Sequence, residues 1–199
     1  MFDLLALIST AGYIGLFAIV FAESGLFFGF FLPGDSLLFT AGFLASQGTI
    51  SITLLLPLLI IAAILGDSVG YAFGVRIGPK IFTKAESRFF KPAHVTRAHE
   101  FFLKYGKKAV LLARFLPVVR TFVPIVAGVA AMPYREFLAY NMIGGTSWVG
   151  SMLLFGYFLG RQIPHAEKYL HPIVLAIIVI SFLPMIIEFL KARGKRSGV

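Results

Sequence analysis

The sequence predicts an all-α integral membrane protein. Its plan is an inverted repeat, each unit a re-entrant helical hairpin followed by a transmembrane helix, with a further C-terminal transmembrane helix. Three observations lead there. First, 58% of the 199 residues are hydrophobic and 14% charged, where a soluble domain runs nearer half apolar and about a quarter charged; the mean hydropathy is +0.89. Second, residues 4–22, 36–66 and 137–160 contain no charged side chain, and about 20 apolar residues suffice for a helix to cross a bilayer. Third, Phe31-Leu32-Pro33 recurs as Phe115-Leu116-Pro117, Ala41-Gly42 as Ala127-Gly128, and Gly70-Tyr71-x-x-Gly74 as Gly156-Tyr157-x-x-Gly160, at offsets of 84, 86 and 86 residues. This composition excludes a soluble enzyme, a disulfide scaffold and a nucleic-acid-binding domain. The absence of cysteine removes thiol catalysis and cysteine metal sites.

The elements follow from charge and punctuation. Residues 1–3 lack the basic start of a cleavable signal, so the N-terminus is expected to be retained. Repeat one covers about residues 12–78. Its apolar run breaks at Pro33-Gly34-Asp35, leaves a short arm of 35–46, turns at Gln47-Gly48, and continues as a long span to Tyr71. A basic, Phe-rich linker follows at about 79–108, carrying Phe82, Phe89, Phe90, Phe101 and Phe102, and reads as helices lying on the membrane surface. Repeat two covers about 109–162. Pro117, Pro124 and Pro133 interrupt its first stretch, and a proline inside a helix removes a hydrogen bond. A hairpin turning near Pro117 fits, since non-helical backbone survives at membrane depth where protein or a water-filled cavity covers it. A C-terminal helix at about 172–190 and a basic tail at 191–199 complete the chain.

Charge placement sets the orientation. All 18 basic residues lie from Arg76 onward, nine of them between Arg76 and Lys108 and four in the final nine residues. Lys and Arg flanking spans mark the cytoplasmic side, so linker and tail are expected there, against anionic lipid headgroups. The net charge of +9 is therefore a topology signal and no sign of nucleic acid. Placing both clusters inside allows two crossings after the linker and gives the two repeats opposite orientations, the plan of many secondary transporters.

Five ionisable residues interrupt the apolar segments: Glu23, Asp35, Asp67, Arg114 and Arg120. Each would cost about 2.5–3.5 kcal/mol if exposed to lipid without a partner, so all must face the interior, water or each other. A functional reading has Arg114 and Arg120 gripping an anion, because guanidinium offers phosphate two parallel hydrogen bonds, while Glu23 and Asp35 carry a coupling ion. A structural reading has Asp35 and Glu23 simply pairing with Arg120 and Arg114 to lock two hairpins together. Asp67, near the end of its span, is a secondary candidate. Tyr13, Tyr71 and Tyr157 read as interface anchors. His94 and His99 are five residues apart, a poor spacing for one helical face. No ATP-binding lysine loop, zinc motif or nucleophile with its base is present, so neither cofactor nor metal is expected and an enzyme is disfavoured.

Glu23-Ser-Gly, Phe31-Leu-Pro-Gly-Asp35-Ser, Gly66-Asp67-x-x-Gly-Tyr71-x-x-Gly74 and Arg114-Phe-x-Pro-x-x-Arg120-x-x-x-Pro-x-x-Ala-Gly128 together resemble the DedA family, which shares its core with SNARE-associated, VTT-domain membrane proteins. The resemblance covers about residues 12–160. It departs at Gly74-Val-Arg76, where many members place the arginine directly after the glycine. The resemblance implies a multi-pass cytoplasmic-membrane protein with two re-entrant hairpins. Its implied function is to return undecaprenyl phosphate across the membrane, linked to the proton or sodium gradient; eukaryotic relatives behave as phospholipid scramblases. The family's required acidic pair matches Glu23 and Asp35, and its required arginines match Arg114 and Arg120. Expected partners are thus a polyprenyl phosphate or phospholipid, with a second copy of the chain left open. Gradient-independent scrambling, or buried salt bridges that only hold the fold, are the alternatives.

Overall fold

The computed structural model describes residues 4–25, 34–77 and 92–162, and every regular element among them is helical. In order these are α1 (Leu4–Gly25), α2 (Gly34–Ser46), α3 (Ile52–Ile77), α4 (Pro92–Tyr105), a 3-10 turn at Gly106–Lys108, α5 (Ala109–Leu112), a second 3-10 turn at Ala113–Phe115, α6 (Pro117–Val129) and α7 (Tyr134–Gln162). The hairpin turn at Phe31-Leu32-Pro33, Phe82, Phe89, Phe90, His165, His171, the helix at 172–190 and the tail at 191–199 lie outside the described residues.

Helix lengths fall into two classes. α3 and α7, with 26 and 29 residues, run roughly 39 and 44 Å at 1.5 Å per residue. Among the described residues they are the two helices long and apolar enough to cross a bilayer. α2 and α6 have 13 residues each and reach roughly 20 Å, short of a hydrocarbon core of about 30 Å. The brevity of α6 is set at its start. Leu116 is extended (φ −119°, ψ 101°), the conformation favoured before proline, and Pro117 then opens the helix at the one position where its missing N–H costs nothing. The stretch from 109 is consequently broken into α5, a 3-10 turn and α6. At the far end Ala131, at φ 52°, reverses the chain into α7. α1 carries its own break at Gly12 (φ 57°, ψ −155°).

Packing crosses between the halves of the chain. α2 lies chiefly against α7, and α6 against α3, while α1 packs on α3 and α4 on α6. Two glycine contacts bring α2 and α7 together: a Cβ on Gly42 would strike the Leu153 carbonyl, and one on Gly156 the Phe39 carbonyl. The α3–α6 crossing is built the same way, Gly74 meeting the Ile125 carbonyl and Gly128 the Tyr71 carbonyl. Where lipid is as apolar as leucine, close backbone approach is the main source of helix affinity. The outward faces stay greasy: Ile61, Leu65, Val69 and Phe73, four residues apart on α3, and Phe155 and Phe158 on α7 are exposed.

Tyr71 departs from its expected role as an interface anchor. It is 9% exposed, donates its hydroxyl to the Met132 carbonyl, and stacks on Phe137 at 4.5 Å between centroids. The glycine faces of the α3–α6 crossing draw it inward. Tyr13 instead sits at the α2–α3 turn, its hydroxyl accepting the Ser51 N–H at 2.8 Å.

Candidate functional site: a buried cluster of two guanidiniums and three carboxylates

Asp35 lies in the first turn of α2 and Arg120 in the first turn of α6, so the N-terminal ends of both short helices meet at one ion pair. A carboxylate suits that positive helix pole and a guanidinium does not; Arg120 is held there by two acids. Its Nη1 donates to Asp35 Oδ1 at 2.9 Å, and its Nη2 bonds Glu23 Oε1 of α1. The three side chains are 11%, 14% and 2% exposed for Arg120, Asp35 and Glu23. Gly34 makes this possible, because any Cβ there would occupy the volume of the Glu23 carboxylate. That is the local reason for glycine between Pro33 and Asp35.

Arg114, in the 3-10 turn ahead of Pro117, forms the second centre. Its Nη2 lies 2.6 Å from Asp67 Oδ2 of α3, and donates to Asn141 Oδ1 at 2.7 Å and to the Ala63 carbonyl at 3.1 Å. Its Nη1 reaches Ser24 Oγ at 3.5 Å. Asn141 is itself anchored, its Nδ2 donating to the Ile64 carbonyl at 3.0 Å. Both members of the Arg114–Asp67 pair are 3% exposed, so Asp67 is buried inside the protein.

The pairing differs from the simple lock in which Glu23 and Asp35 each take one arginine. Arg120 takes both, and Arg114 takes Asp67. Three carboxylates thus face two guanidiniums, a formal charge of −1 when all are ionised. Several polar atoms remain buried without a hydrogen-bond partner: Glu23 Oε2, Arg114 Nε, and the hydroxyls of Ser36, Thr40 and Thr121. Ser36 follows Asp35, and Thr121 follows Arg120.

Two residues that sequence reasoning missed tie the centres together. Trp148 of α7 donates its Nε1–H to Asp35 Oδ1 at 2.7 Å, and its ring lies 4.8 Å from the Arg120 guanidinium and 5.7 Å from that of Arg114. Asn141 holds Arg114. The available signal was that Trp148 is the single tryptophan of the chain and stands mid-span, away from the interface where tryptophan collects. Arg76 is exposed in the last turn of α3, where a cation complements the helix dipole.

Comparison with known proteins identifies the family. The profile of the VTT domain matches residues 32–158. The chain is 45% identical over 188 residues to Protein DedA of Escherichia coli K12, covering 94% of this chain and 84% of that protein. It is 46% identical over 187 residues to an uncharacterized membrane protein of Mycobacterium tuberculosis H37Rv, covering 92% and 82%. A similar uncharacterized membrane protein of Mycobacterium leprae is 48% identical over 169 residues, covering 85% and 75%. No solved structure matches the chain. The chain is a membrane protein of the DedA family, built on a VTT domain.

Proposed function

We propose that this protein moves a polyprenyl phosphate, an undecaprenyl-phosphate-like carrier lipid, across the cytoplasmic membrane, with the movement coupled to protons or sodium. One observation carries the reading: the Arg120 guanidinium is shared by two carboxylates where the first turns of α2 and α6 meet. In transporters, paired half-helix N-termini commonly face an anionic group of the substrate. An arriving phosphate would replace Asp35 and Glu23 on Arg120, a like-for-like exchange of oxyanions, while the lipid tail stays in the bilayer. Arg114 joins as a second phosphate ligand when Asp67 releases it.

The charge count supports coupling. One proton or one sodium ion neutralises a cluster of three carboxylates and two guanidiniums, and Glu23 Oε2, buried without a hydrogen-bond partner, is the oxygen we assign to it. The crossed packing of α2 on α7 and α6 on α3 supports the two re-entrant hairpins and the inverted repeat. In this reading the protein is a carrier and no enzyme, and linker and tail face the cytoplasm.

A second reading has a specific observation behind it. Arg114 Nη2 is held at once by Asp67, Asn141 and Ala63, as it would be in a purely structural lock. Purified protein in liposomes, assayed with and without a pH gradient, separates the readings. Gradient-driven flipping of a polyprenyl phosphate supports the proposal, and gradient-independent flipping of many phospholipids replaces it with scrambling. Neither activity in a folded sample leaves only the lock.

A further inference from the structure

Asp35 Oδ1 accepts from two donors at once, Arg120 Nη1 at 2.9 Å and Trp148 Nε1 at 2.7 Å. Trp148 also lies beneath the Arg120 guanidinium, 4.8 Å from the ring centroid. The three groups therefore close a triangle in which each side chain is held by the other two. Trp148 itself is 1% exposed and clamped in the apolar cluster of α1, α2, α3 and α7, so it is the rigid corner.

The two carboxylates on Arg120 are not equivalent. Asp35 has a second donor in Trp148, whereas Glu23 Oε2 has no hydrogen-bond partner among the described residues. If an anion takes Arg120, Asp35 keeps a side-chain donor in the indole, whereas Glu23 keeps none among the described residues. The contact between guanidinium and ring differs from both ion pairs. It runs through the π face and uses none of the N–H groups, so it survives exchange of a carboxylate for a phosphate. A desolvated indole face is the strongest of the aromatic platforms for a cation.

We infer that Trp148 is a positioning residue for anion binding. Its ring keeps Arg120 in place while the guanidinium changes partners, and its N–H retains Asp35 once Arg120 has let go. The inference rests on the lipid-phosphate reading above and deepens it.

The test uses the full chain in detergent micelles, with farnesyl phosphate as the probe and farnesol as its uncharged control. Trp148 is the chain's single tryptophan, so intrinsic emission reports on this position alone. Saturating farnesyl phosphate should shift that emission, with farnesol leaving it unchanged. By calorimetry, Trp148→Phe, which keeps a weaker ring and loses the donor, should bind farnesyl phosphate about threefold more weakly, and Trp148→Leu at least about tenfold more weakly. Partial rescue by phenylalanine separates positioning from mere filling of space. If Trp148→Leu fails to fold, the phenylalanine variant and the wild-type emission decide. Wild-type affinity in a folded Trp148→Phe or Trp148→Leu protein overturns the inference, as does unmoved emission while calorimetry shows the probe bound. If the wild type binds no farnesyl phosphate at all, the lipid-phosphate reading falls and takes this inference with it.

Discussion

Asp67 and Arg114 pair at 2.6 Å with 3% of each side chain exposed, although they stand 47 positions apart in the sequence. Removing one partner of such a buried pair strands the other charge, at about 3–5 kcal/mol. Asp67→Asn should therefore lower the thermal unfolding temperature in detergent markedly. Replacing both, as Asp67→Leu with Arg114→Met, should recover most of the loss because no lone charge is left. An Asp67→Asn protein as stable as wild type would show that the pair is not a lock.

Arg120 is expected to behave differently from Arg114. Arg120→Lys keeps the positive charge between Glu23 and Asp35 but loses the planar fork that holds two oxygens at once. The variant should insert and fold, yet flip a polyprenyl phosphate at least about tenfold more slowly, since 1.4 kcal/mol of lost contact is enough. Equal flipping rates in reconstituted wild type and variant would remove Arg120 from the phosphate site.

The charged members of this cluster were legible in the sequence because Glu23, Asp35, Arg114 and Arg120 stand in apolar surroundings where an ion demands a partner. The helix break ahead of α6 was legible too, since Leu116-Pro117 constrains two successive residues. Which charge meets which was not legible. Pairing depends on how α2 crosses α7 and α6 crosses α3, and the backbone approaches at Gly42, Gly156, Gly74 and Gly128 set that crossing. Trp148 and Asn141 gave little signal, because an uncharged polar side chain in an apolar span carries only a modest transfer cost. The position of Tyr71 was not legible for a related reason: a tyrosine near a span end suits an interface and a buried hydroxyl contact equally well.

The glycine crossings make their own prediction. Gly156→Val places a branched side chain against the Phe39 carbonyl and must push α7 away from α2. Trp148, eight residues earlier on α7, would then be drawn from Asp35 of α2. The variant should lose thermal stability, and its tryptophan emission should shift even without ligand. Gly150→Ala is the control, since a Cβ there meets nothing within 4 Å. Matching stability and emission in the two variants would mean that the α2–α7 crossing does not depend on the Gly156–Phe39 approach.

Sidedness can be read directly because the chain has no cysteine. Single cysteines at Lys104, exposed on α4, and at Gly198 should react with an impermeant thiol reagent from the cytoplasmic side. One at His165 should react from the outside. Labelling of His165 and Gly198 from the same side would overturn the two-crossing arrangement of the second half.

The charge balance supplies the last prediction. With three carboxylates against two guanidiniums, the wild-type cluster reaches neutrality by taking up one proton or one sodium ion. Asp35→Asn removes one negative charge and leaves two against two, so the variant needs no added cation. Under proton coupling it should lose the response of flipping to an imposed pH gradient, and not merely flip more slowly. Arg120→Lys leaves the count unchanged and should keep the gradient response at its reduced rate. Flipping is measured in liposomes with the interior buffered at fixed pH and the exterior stepped over two units. An Asp35→Asn protein that follows the gradient as wild type does would remove Asp35 from the coupling step. If the wild type follows a sodium gradient and ignores a proton gradient, the same comparison run in sodium identifies the coupling ion, and the charge argument stands unchanged.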